Sequence, residues 1–388
     1  MSIRLTNAEK KIARALAEIK KKSGSHSPSP AMLAEVPGVT LTHDLCFLSN
    51  PYATDLFLKY WKKDFGKDGE KLRKLVELYP SQNPALAEKV GKMLDVPAKS
   101  IFVGNGATEV IQAVLHNFAK KKILVSVPTF SPYLEFVPKR VRVQQHKLRK
   151  ENQFRVNLNA FISDVRKEKP DTVVIINPNN PDGGYVSASD LRLLLEHLRH
   201  VETVIVDESF VHFADENIEV LRGAAGLVKT FPNLVVIKSL SKDFGIAGLR
   251  VGYGVLSEER VSALLARGYL WNVSGFGEYF LNLLCTKTFL QEYDQARLRV
   301  IRERNDFLTE LSKIKSISVY PSKANFFLVE LLDGSKSEDL MVALLVRCGI
   351  YLRPCGDKVG LKGEFVRVAS RRQRENKKLI AALSELLS

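Results

Sequence analysis

Short runs of β-branched and apolar residues alternate with amphipathic segments from about residue 71 onward. The runs predict strands at residues 101–103, 123–127, 172–177, 203–207 and 234–239. Helical spacing of apolar positions predicts helices from about residue 107 and at residues 190–198. Continuous apolar strands separated by helices are typical of a mainly parallel sheet that is covered on both faces. We therefore predict an α/β fold.

The two ends of the chain follow other patterns. Residues 12–19 have apolar positions at helical spacing with lysines between them, and the Ser/Pro-rich run at 23–30 indicates a linker. After about residue 280, long charged helices and short strands predict a smaller α+β domain. The predicted divisions are an N-terminal helix and linker arm at 1–30, part of the small domain or its entrance at 31–70, a large domain at 71–280 and a small C-terminal domain at 281–388.

Composition narrows the class of protein. The 388 residues are 45% apolar and 26% charged, and no long apolar run occurs, which excludes disordered, collagen-like, disulfide-stapled and membrane-spanning chains. The four cysteines match no zinc-ligand spacing, so we predict free thiols and no metal site. The start of the chain lacks the apolar core of a signal peptide, and we expect a cytoplasmic protein.

The chain is strongly basic. Lysine and arginine number 58 against 43 aspartate and glutamate residues, a formal net charge of +15. Nucleic acid, anionic lipid and a phosphorylated small molecule are therefore candidate partners. The basic runs at 20–22, 120–122 and 371–374 are scattered, and the first 70 residues contain no two-helix DNA reader. Solvated charged faces explain these runs better than a nucleic-acid regulator, so we predict neither a nucleic-acid nor a membrane partner.

Polar or glycine-rich residues directly follow four of the predicted strands. The runs are GNGATE at 104–109, NPNNPDGG at 177–184, DESF at 207–210 and SLSKDFGIAGLRVGY at 239–253. Ligands of an open parallel sheet bind at the carboxyl ends of its strands. The convergence of these four runs therefore predicts a ligand site at that edge of the sheet.

Taken alone, the individual residues leave alternatives open. The backbone N–H groups of Ala107 and Thr108 could bind a phosphate, or their segment could be an ordinary helix cap. Lys242 places an amine near two serines and Arg250, which suits an anion beside a reactive amine, although most lysines are surface residues. Asp207 either pairs with a cation or caps a helix.

Taken together, the motifs resemble a known family. NP at 180–181, DE at 207–208, SLSK at 239–242 and Arg250 look like the signature of fold-type I pyridoxal-phosphate enzymes of aminotransferase class I/II. The branch is that of histidinol-phosphate aminotransferases and threonine-phosphate decarboxylases, and the match runs from about Asn50 to the C-terminal helix. The resemblance implies an aspartate-aminotransferase-like large domain with a seven-stranded sheet flanked by helices, a smaller α+β domain, and pyridoxal 5′-phosphate as cofactor.

The resemblance also assigns roles around the cofactor ring. Lys242 would form a Schiff base with the cofactor aldehyde and move the proton at the substrate α-carbon. Asp207 would pair with the pyridinium nitrogen and so keep the ring an electron sink. Asn180 would hydrogen-bond the ring 3-oxygen, and Phe130 would stack on the ring.

Further residues would hold the cofactor phosphate and the substrate. The phosphate group would contact Ala107, Thr108, Ser239, Ser241 and Arg250. Tyr79 resembles the tyrosine that reaches this phosphate from the other subunit, which implies a homodimer with shared active sites. Arg367 would receive the substrate carboxylate with its planar fork, and Arg353 would be a second anion contact. Asn50 would line the entrance and Asn325 would form part of the substrate wall.

Three departures separate the chain from the aminotransferase pattern. Phe210 stands where the aminotransferases of this branch carry a tyrosine whose hydroxyl contacts the ring 3-oxygen, and the decarboxylases tend to have phenylalanine there. Asp182 replaces the threonine of the usual NPTG and adds a carboxylate near the site. Residues 1–40 show no clear counterpart of the glycine/histidine element that the decarboxylases place around the substrate phosphate, so a phosphate on the substrate stays an open question.

The favoured function is that of an aminotransferase. It would transfer an amino group between an amino acid and a keto or aldehyde acceptor through the Lys242 Schiff base. The alternative is decarboxylation of a phosphorylated amino acid on the same residues, as in threonine-phosphate decarboxylase. The two reactions differ in which bond of the α-carbon lies perpendicular to the cofactor ring, and a sequence does not show that torsion.

Overall fold

The computed structural model describes residues 3–22, 24, 26–66 and 68–387, so Ser23 and Ser25 of the predicted linker lie outside the described residues. The chain folds into two compact units. The bounds of the large unit are Ser49–Asn180 and Gly184–Arg299, and those of the small unit are Met1–Leu48, Pro181–Gly183 and Val300–Ser388. Within the described ranges, no helix is long and apolar enough to cross a membrane.

The strands and helices of both units are numbered in chain order. The strands, in chain order, are β1 (His43–Asp44), β2 (Ile101–Asn105), β3 (Lys122–Val127), β4 (Arg142–Lys147), β5 (Thr172–Ile176), β6 (Thr203–Asp207), β7 (Leu234–Ser239), β8 (Val251–Val255), β9 (Ile317–Val319), β10 (Phe326–Leu331), β11 (Ile350–Tyr351), β12 (Arg353–Pro354) and β13 (Phe365–Ala369). The helices are α1 (Asn7–Lys22), α2 (Pro30–Ala34), α3 (Pro51–Phe65), α4 (Gly69–Glu77), α5 (Asn83–Leu94), α6 (Gly106–Phe118), α7 (Pro132–Glu135), α8 (Leu158–Glu168), α9 (Ala188–His197), α10 (Glu258–Leu265), α11 (Gly275–Leu284), α12 (Lys287–Leu311), α13 (Ser337–Cys348) and α14 (Gln373–Leu386).

The large unit is built on one wide sheet. Over the described residues this sheet has seven strands in the order β2-β8-β7-β6-β5-β3-β4. The strands from β7 to β4 are parallel to one another, whereas β8 is antiparallel to both of its neighbours, β2 and β7. The prediction of an α/β fold with a mainly parallel sheet flanked by helices is confirmed.

The sheet separates two hydrophobic cores. Successive residues of a strand point to opposite faces, so Val204 and Val206 of β6 belong to one core while Ile205 belongs to the other. The same alternation divides Val173 from Val174 in β5. Because both faces are covered, these strands are continuous apolar runs in the sequence.

The large unit extends beyond the predicted bounds of 71–280 at both ends. The ring of Phe57, in α3, lies 6.1 Å from that of Phe280, and both belong to the same core. Phe289, in α12, is buried in this core as well. Apolar burial therefore assigns residues 49–66 to the large unit, although the sequence suggested the small domain for them.

The small unit contains its own antiparallel sheet. In the described part of the chain, that sheet has four strands in the order β12-β13-β10-β9, and β1 pairs in parallel with β11. Helix α1 packs on α13, where Nε of Arg347 donates to Oε1 of Glu9 at 2.6 Å. This hydrogen bond lowers the pKa of Glu9 to about 2. Helix α1 is thus integrated into the small unit, whereas the sequence suggested a separate arm.

Candidate active site

Loops from several strands meet at one edge of the large sheet. The register pairs Ile176 of β5 with Asp207 of β6, and Asp207 with Ile237 of β7. Because β8 runs in the opposite direction, its first residue, Val251, lies beside Asn105 at the end of β2. The carboxyl ends of β2, β5, β6 and β7 and the start of β8 therefore form the edge at which the sequence predicts a ligand site.

Lys242 lies in the turn that follows β7. Its backbone carbonyl accepts hydrogen bonds from the N–H of Asn50 at 2.9 Å and from that of Gly245 at 3.3 Å. The N–H of Ser241 donates to Oγ of Ser239 at 3.3 Å, which tightens the turn. The Lys242 side chain is half-buried. Backbone hydrogen bonds from α3 and from within the turn therefore fix the segment that bears this amine.

Asn50 ties helix α3 to this turn. Its Oδ1 accepts from the N–H groups of Tyr52 at 3.0 Å and Ala53 at 3.1 Å and so caps α3, while its own N–H binds the Lys242 carbonyl. The side chain is fully buried. The structure thus shows a helix-capping role for Asn50, and a role in lining the entrance stays a prediction.

Asp207 ends β6 as a buried carboxylate, 2% exposed. Its Oδ2 accepts a hydrogen bond from the hydroxyl of Tyr133 at 2.8 Å, and its Oδ1 accepts from the N–H of Ser209 at 2.9 Å. Burial raises the pKa of Asp207, and the hydrogen bonds from Ser209 and Tyr133 oppose that rise. A cationic ring nitrogen beside this carboxylate would stabilise its ionised form, because the opposite charge would offset the cost of removing the carboxylate from water.

The start of α6 and the residue before β8 form an anion cradle. Gly106 has φ +76°, and a Cβ at this position would lie 2.4 Å from Nη2 of Arg250. The guanidinium therefore lies against the first turn of α6, where the N–H groups of Ala107 and Thr108 have no partner within the helix. The positive end of the helix dipole adds to this field. Nη1 of Arg250 donates to the Ala247 carbonyl at 3.0 Å, which fixes the side chain.

Ser239 and Ser241 lie on the same loop as Lys242 and are both buried. The N–H of Ser239 donates to Oγ of Ser209 at 3.3 Å, which links the ends of β6 and β7. Their hydroxyls remain the groups that we predict to contact the cofactor phosphate.

The loop after β5 is fixed by paired asparagines. Asn177 donates to the Val186 carbonyl at 2.9 Å and accepts from the Val186 N–H at 2.8 Å. Nδ2 of Asn179 donates to the Pro128 carbonyl at 3.0 Å, which joins this loop to the end of β3. Asn180 is buried on this loop. The structure thus places Asn180 at the predicted edge of the sheet.

Two aromatic candidates occupy different environments. Phe130, just after β3, is half-buried and packs against the core that includes Ile176. Tyr79 is 78% exposed, and its ring stacks on Trp271 with centroids 4.7 Å apart. The stacking role of Phe130 and the intersubunit role of Tyr79 both remain predictions.

The two arginines that the resemblance assigns to the substrate belong to the small unit. Arg353 of β12 and Arg367 of β13 are direct partners in the antiparallel register. Arg353 donates to Asp357 at 2.5 Å and to the Pro354 carbonyl at 2.7 Å, while Nη2 of Arg367 donates to the Cys46 carbonyl at 2.8 Å. Like charges directly opposite each other on two strands repel. The pair therefore forms an electropositive site within this unit.

Two lysines enlarge this positive cluster. Nζ of Lys20 lies 3.4 Å from Oδ2 of Asp357. Burial, followed by the charge of Arg353, lowers the pKa of Lys358 to about 8. We name Lys20, Arg353, Lys358 and Arg367 the cationic cluster. The carboxylates of Asp357 and Glu338 interact with Arg353 and Lys20, and that of Asp44 interacts with Arg367, so part of the positive charge is compensated.

Asn325 is a fully buried residue of the small unit. Its Nδ2 donates to the Leu48 carbonyl at 2.9 Å, and its backbone carbonyl accepts from the N–H of Ser370 at 2.8 Å. These contacts connect three segments of this unit. A role in the substrate wall stays a prediction.

Sequence reasoning missed several residues that the structure places at these sites. Tyr133 lies in the PTFSPY run that carries Phe130, so a hydroxyl near the site was a visible signal. Lys238 is a charged residue inside the apolar run LVVIKS, and it forms a buried ion pair with Asp243. Lys358 follows the predicted Arg353 by five positions, with no motif to mark it.

Family membership follows from comparison with known proteins. A model of the family described as aminotransferase class I and II matches residues 49–383. The chain belongs to this family. The family assignment that the sequence motifs suggested is confirmed, and the cofactor is pyridoxal 5′-phosphate. The substrates of this enzyme are small molecules.

Individual relatives correct the predicted reaction. The chain is 48% identical to an L-serine phosphate decarboxylase of Campylobacter jejuni subsp. jejuni, over 100% of this chain and 99% of that protein. It is 40% identical to an L-serine phosphate decarboxylase of Sulfurospirillum multivorans, over 96% of each chain. A solved structure of a decarboxylase from Sulfurospirillum multivorans superposes with a TM-score of 0.93 at 39% identity, covering 98% of this chain and 97% of that one.

The prediction of an aminotransferase with a keto or aldehyde acceptor is therefore wrong. The motifs behind it, at Asn180, Asp207, Lys242 and Arg250, are those that the resemblance assigns to cofactor binding. Both reactions need the same cofactor contacts, so these motifs do not distinguish them. Phe210, which the sequence shares with the decarboxylases of the branch, indicated the alternative.

The residues of the large unit fit pyridoxal 5′-phosphate. The cradle between Gly106 and Arg250 would hold its phosphate, the buried Asp207 carboxylate would hold its ring nitrogen, and Lys242 would bind its aldehyde. When bound, the cofactor supplies an electron-withdrawing ring that accepts the electron pair left at the substrate α-carbon.

We expect Gly106→Ala to weaken retention of the cofactor about tenfold, because the new methyl group would displace the Arg250 guanidinium and strain a positive φ. The change is measured by titrating apoenzyme with pyridoxal 5′-phosphate and following visible absorbance. Gly226→Ala is the matched control, since no atom lies within 4 Å of a Cβ at that position. Equal affinities of the two variants would contradict the cradle.

We expect Glu208→Gln to flatten the pH dependence of stability. Burial raises the pKa of Glu208 to about 7, so the folded protein binds a proton that the unfolded chain has released. The free energy of unfolding should therefore fall by up to about 3 kcal/mol between about pH 4.5 and pH 7 in the wild type. Urea unfolding at pH 5 and pH 7.5 measures this difference, and an unchanged difference in the variant would contradict the assignment.

Proposed function

We propose that this enzyme decarboxylates O-phospho-L-serine. The carboxyl group would leave as carbon dioxide and a proton would take its place on the α-carbon, giving O-phosphoethanolamine. The observation that carries the proposal is the 48% identity, over the whole chain, to an L-serine phosphate decarboxylase. The presence of Phe210 rather than a tyrosine agrees with it.

Three residues of the large unit would have defined roles in this reaction. Lys242 would hold the cofactor and then deliver the proton to the α-carbon, since its amine is the basic group on the loop after β7. Asp207 would keep the ring nitrogen protonated, and Tyr133 would hold Asp207 in place through the 2.8 Å hydrogen bond. Decarboxylation requires no second substrate, so the reaction uses no keto acceptor.

The cationic cluster supports a phosphorylated substrate. A phosphate monoester carries close to two negative charges at neutral pH. The cluster brings four cationic side chains together, and Asp357, Glu338 and Asp44 compensate part of their charge. An arginine bound to the departing carboxylate would stabilise the ground state more than the transition state, because carbon dioxide is neutral. We therefore propose that Arg353 and Arg367 serve the phosphate rather than the carboxylate that the resemblance assigned to Arg367.

We also propose that two copies of the chain form a homodimer with shared active sites. The large unit exposes a group of apolar side chains, namely Val76, Leu78, Tyr79, Leu270 and Trp271. Exposed apolar patches of this kind mark interaction surfaces. Tyr79 lies within the patch, which agrees with a contact to the cofactor phosphate of the partner subunit. The four cysteines are free thiols, in keeping with a cytoplasmic location.

The reaction is tested by incubating the holoenzyme with O-phospho-L-serine and measuring carbon dioxide and the amine product. We expect equimolar amounts of both without any keto acid, and Lys242→Ala should reduce the rate about a thousandfold or more. Conversion of the cofactor to its amine form that requires a keto acid for recovery would contradict the proposal.

Replacing Lys358 with methionine should raise the KM for O-phospho-L-serine about tenfold and leave folding intact, since one half-buried cation of the cluster is lost. Because the pKa of Lys358 is about 8, its charge is present below this pH and is lost above it. The wild-type KM should therefore rise above about pH 8, and the variant should lack this rise.

Lys313→Met is the matched control for Lys358→Met. Lys313 also belongs to the small unit, but its ammonium pairs with Glu310 at 2.6 Å on the surface. We expect its KM to equal that of the wild type. An equal effect of both substitutions would show that general charge, rather than the cationic cluster, attracts the substrate.

A further inference from the structure

A buried lysine and a buried aspartate bracket the turn of Lys242. Lys238, in β7, is 2% exposed, and its Nζ donates to the Glu208 carbonyl at 2.9 Å. The same ammonium forms an ion pair with the carboxylate of Asp243, which is fully buried. Since positions 238 and 243 lie on either side of Lys242, the ion pair closes the turn at its base.

The other side of Asp243 is covered by two neutral side chains and, beyond them, by a guanidinium that is paired with a carboxylate. Nδ1 of His212 lies 3.1 Å from Oδ2 of Asp243 and 2.8 Å from the hydroxyl of Tyr293. Burial lowers the pKa of His212 well below its usual value, so the imidazole is uncharged at neutral pH. The nearby guanidinium of Arg297 donates to the His212 carbonyl at 3.0 Å and to Asp294 at 2.9 Å. Its charge is thus already paired.

Two further titratable groups face the ion pair. Glu208 accepts a hydrogen bond from a backbone N–H at 2.9 Å, and burial raises its pKa to about 7. Burial raises the pKa of Tyr253 well above its usual value, so it is a neutral phenol. Burial also raises the pKa of Asp243, to about 6, while the charges of Lys238 and Lys242 lower it. Asp243 and Lys242 therefore interact electrostatically.

We propose that the Lys238–Asp243 ion pair positions Lys242 and sets the electrostatic potential at its amine. This rests on the proposed attachment of the cofactor to Lys242. The ion pair has no net charge, so the amine is exposed to a local dipole; removal of either partner would leave one buried charge close to it. Lys238 and Asp243 act through Lys242 and are therefore positioning residues.

The bond between Lys242 and the cofactor gives a direct readout, because its visible absorbance changes with protonation. The pH midpoint of this change is measured for the wild-type holoenzyme and for two variants. Asp243→Asn leaves the Lys238 cation uncompensated, and we expect the midpoint to fall by about one pH unit. Lys238→Met removes the cation that lowers the pKa of Asp243, so part of the carboxylate takes up a proton, and we expect a rise of at most about one pH unit.

A double variant and a neutral control separate charge from structure. Lys238→Met/Asp243→Asn removes both charges, so its midpoint should return to within about 0.3 pH unit of the wild type. Tyr293→Phe removes a hydrogen-bonding hydroxyl near His212 without changing a charge, and its midpoint should not move. A purely structural role would shift both single variants in the same direction and the double variant further.

The outcomes are decisive in each case. Unshifted midpoints, or shifts of the same sign, in single variants with wild-type circular dichroism would overturn the role of the ion pair while leaving the attachment to Lys242 standing. A wild type without a visible cofactor band would instead overturn the attachment itself. If one single variant does not fold, the sign of the shift in the other, together with its reversal in the double variant, still decides.

Discussion

The chemistry of this enzyme depends on a sheet that is covered by apolar cores on both faces. Such a sheet excludes polar side chains from the middle of its strands, because a buried polar group without a partner is costly. Polar residues are therefore concentrated where the strands end, and parallel strands bring their carboxyl ends to one edge. Asp207 and Ser239 are the last residues of β6 and β7, and Lys242 follows within one turn. The core thus determines where a reactive amine and its counter-charges can lie.

Lys238 is an exception, because it is a charged residue within a strand that is covered on both faces. It is the fifth residue of β7 and is buried, so its ammonium needs a full set of partners within the protein. Asp243 and the Glu208 carbonyl provide them. A lone lysine at this position would lower the stability of the strand end, because a buried pair that has lost one partner is strongly destabilising. The placement of Asp243 directly after Lys242 therefore links the stability of the sheet to the geometry of the reactive turn.

Much of this arrangement could be predicted from the sequence, and the exceptions have physical causes. The predicted bounds of β6 and β7 coincide with the observed ones, since an apolar run bounded by polar residues is a local signal. The pairing of Tyr133 with Asp207 joins residues 74 positions apart, and no local pattern reports such a contact. Helix α3 was assigned to the small domain because its apolar face does not reveal which core receives it.

The reaction itself was mispredicted for a related reason. Motifs such as SLSK at 239–242 contain the residues that would hold the cofactor, whereas the choice between removing a proton and removing a carboxylate depends on the substrate side. On the substrate side, the sequence signal is the net charge of several residues rather than a motif. Arg353 and Arg367 face each other across β12 and β13, a repulsive arrangement that the ion pair of Arg353 with Asp357 relieves only in part. Under the proposed function, part of the +15 net charge belongs to a site whose cations the fold brings together for a phosphate.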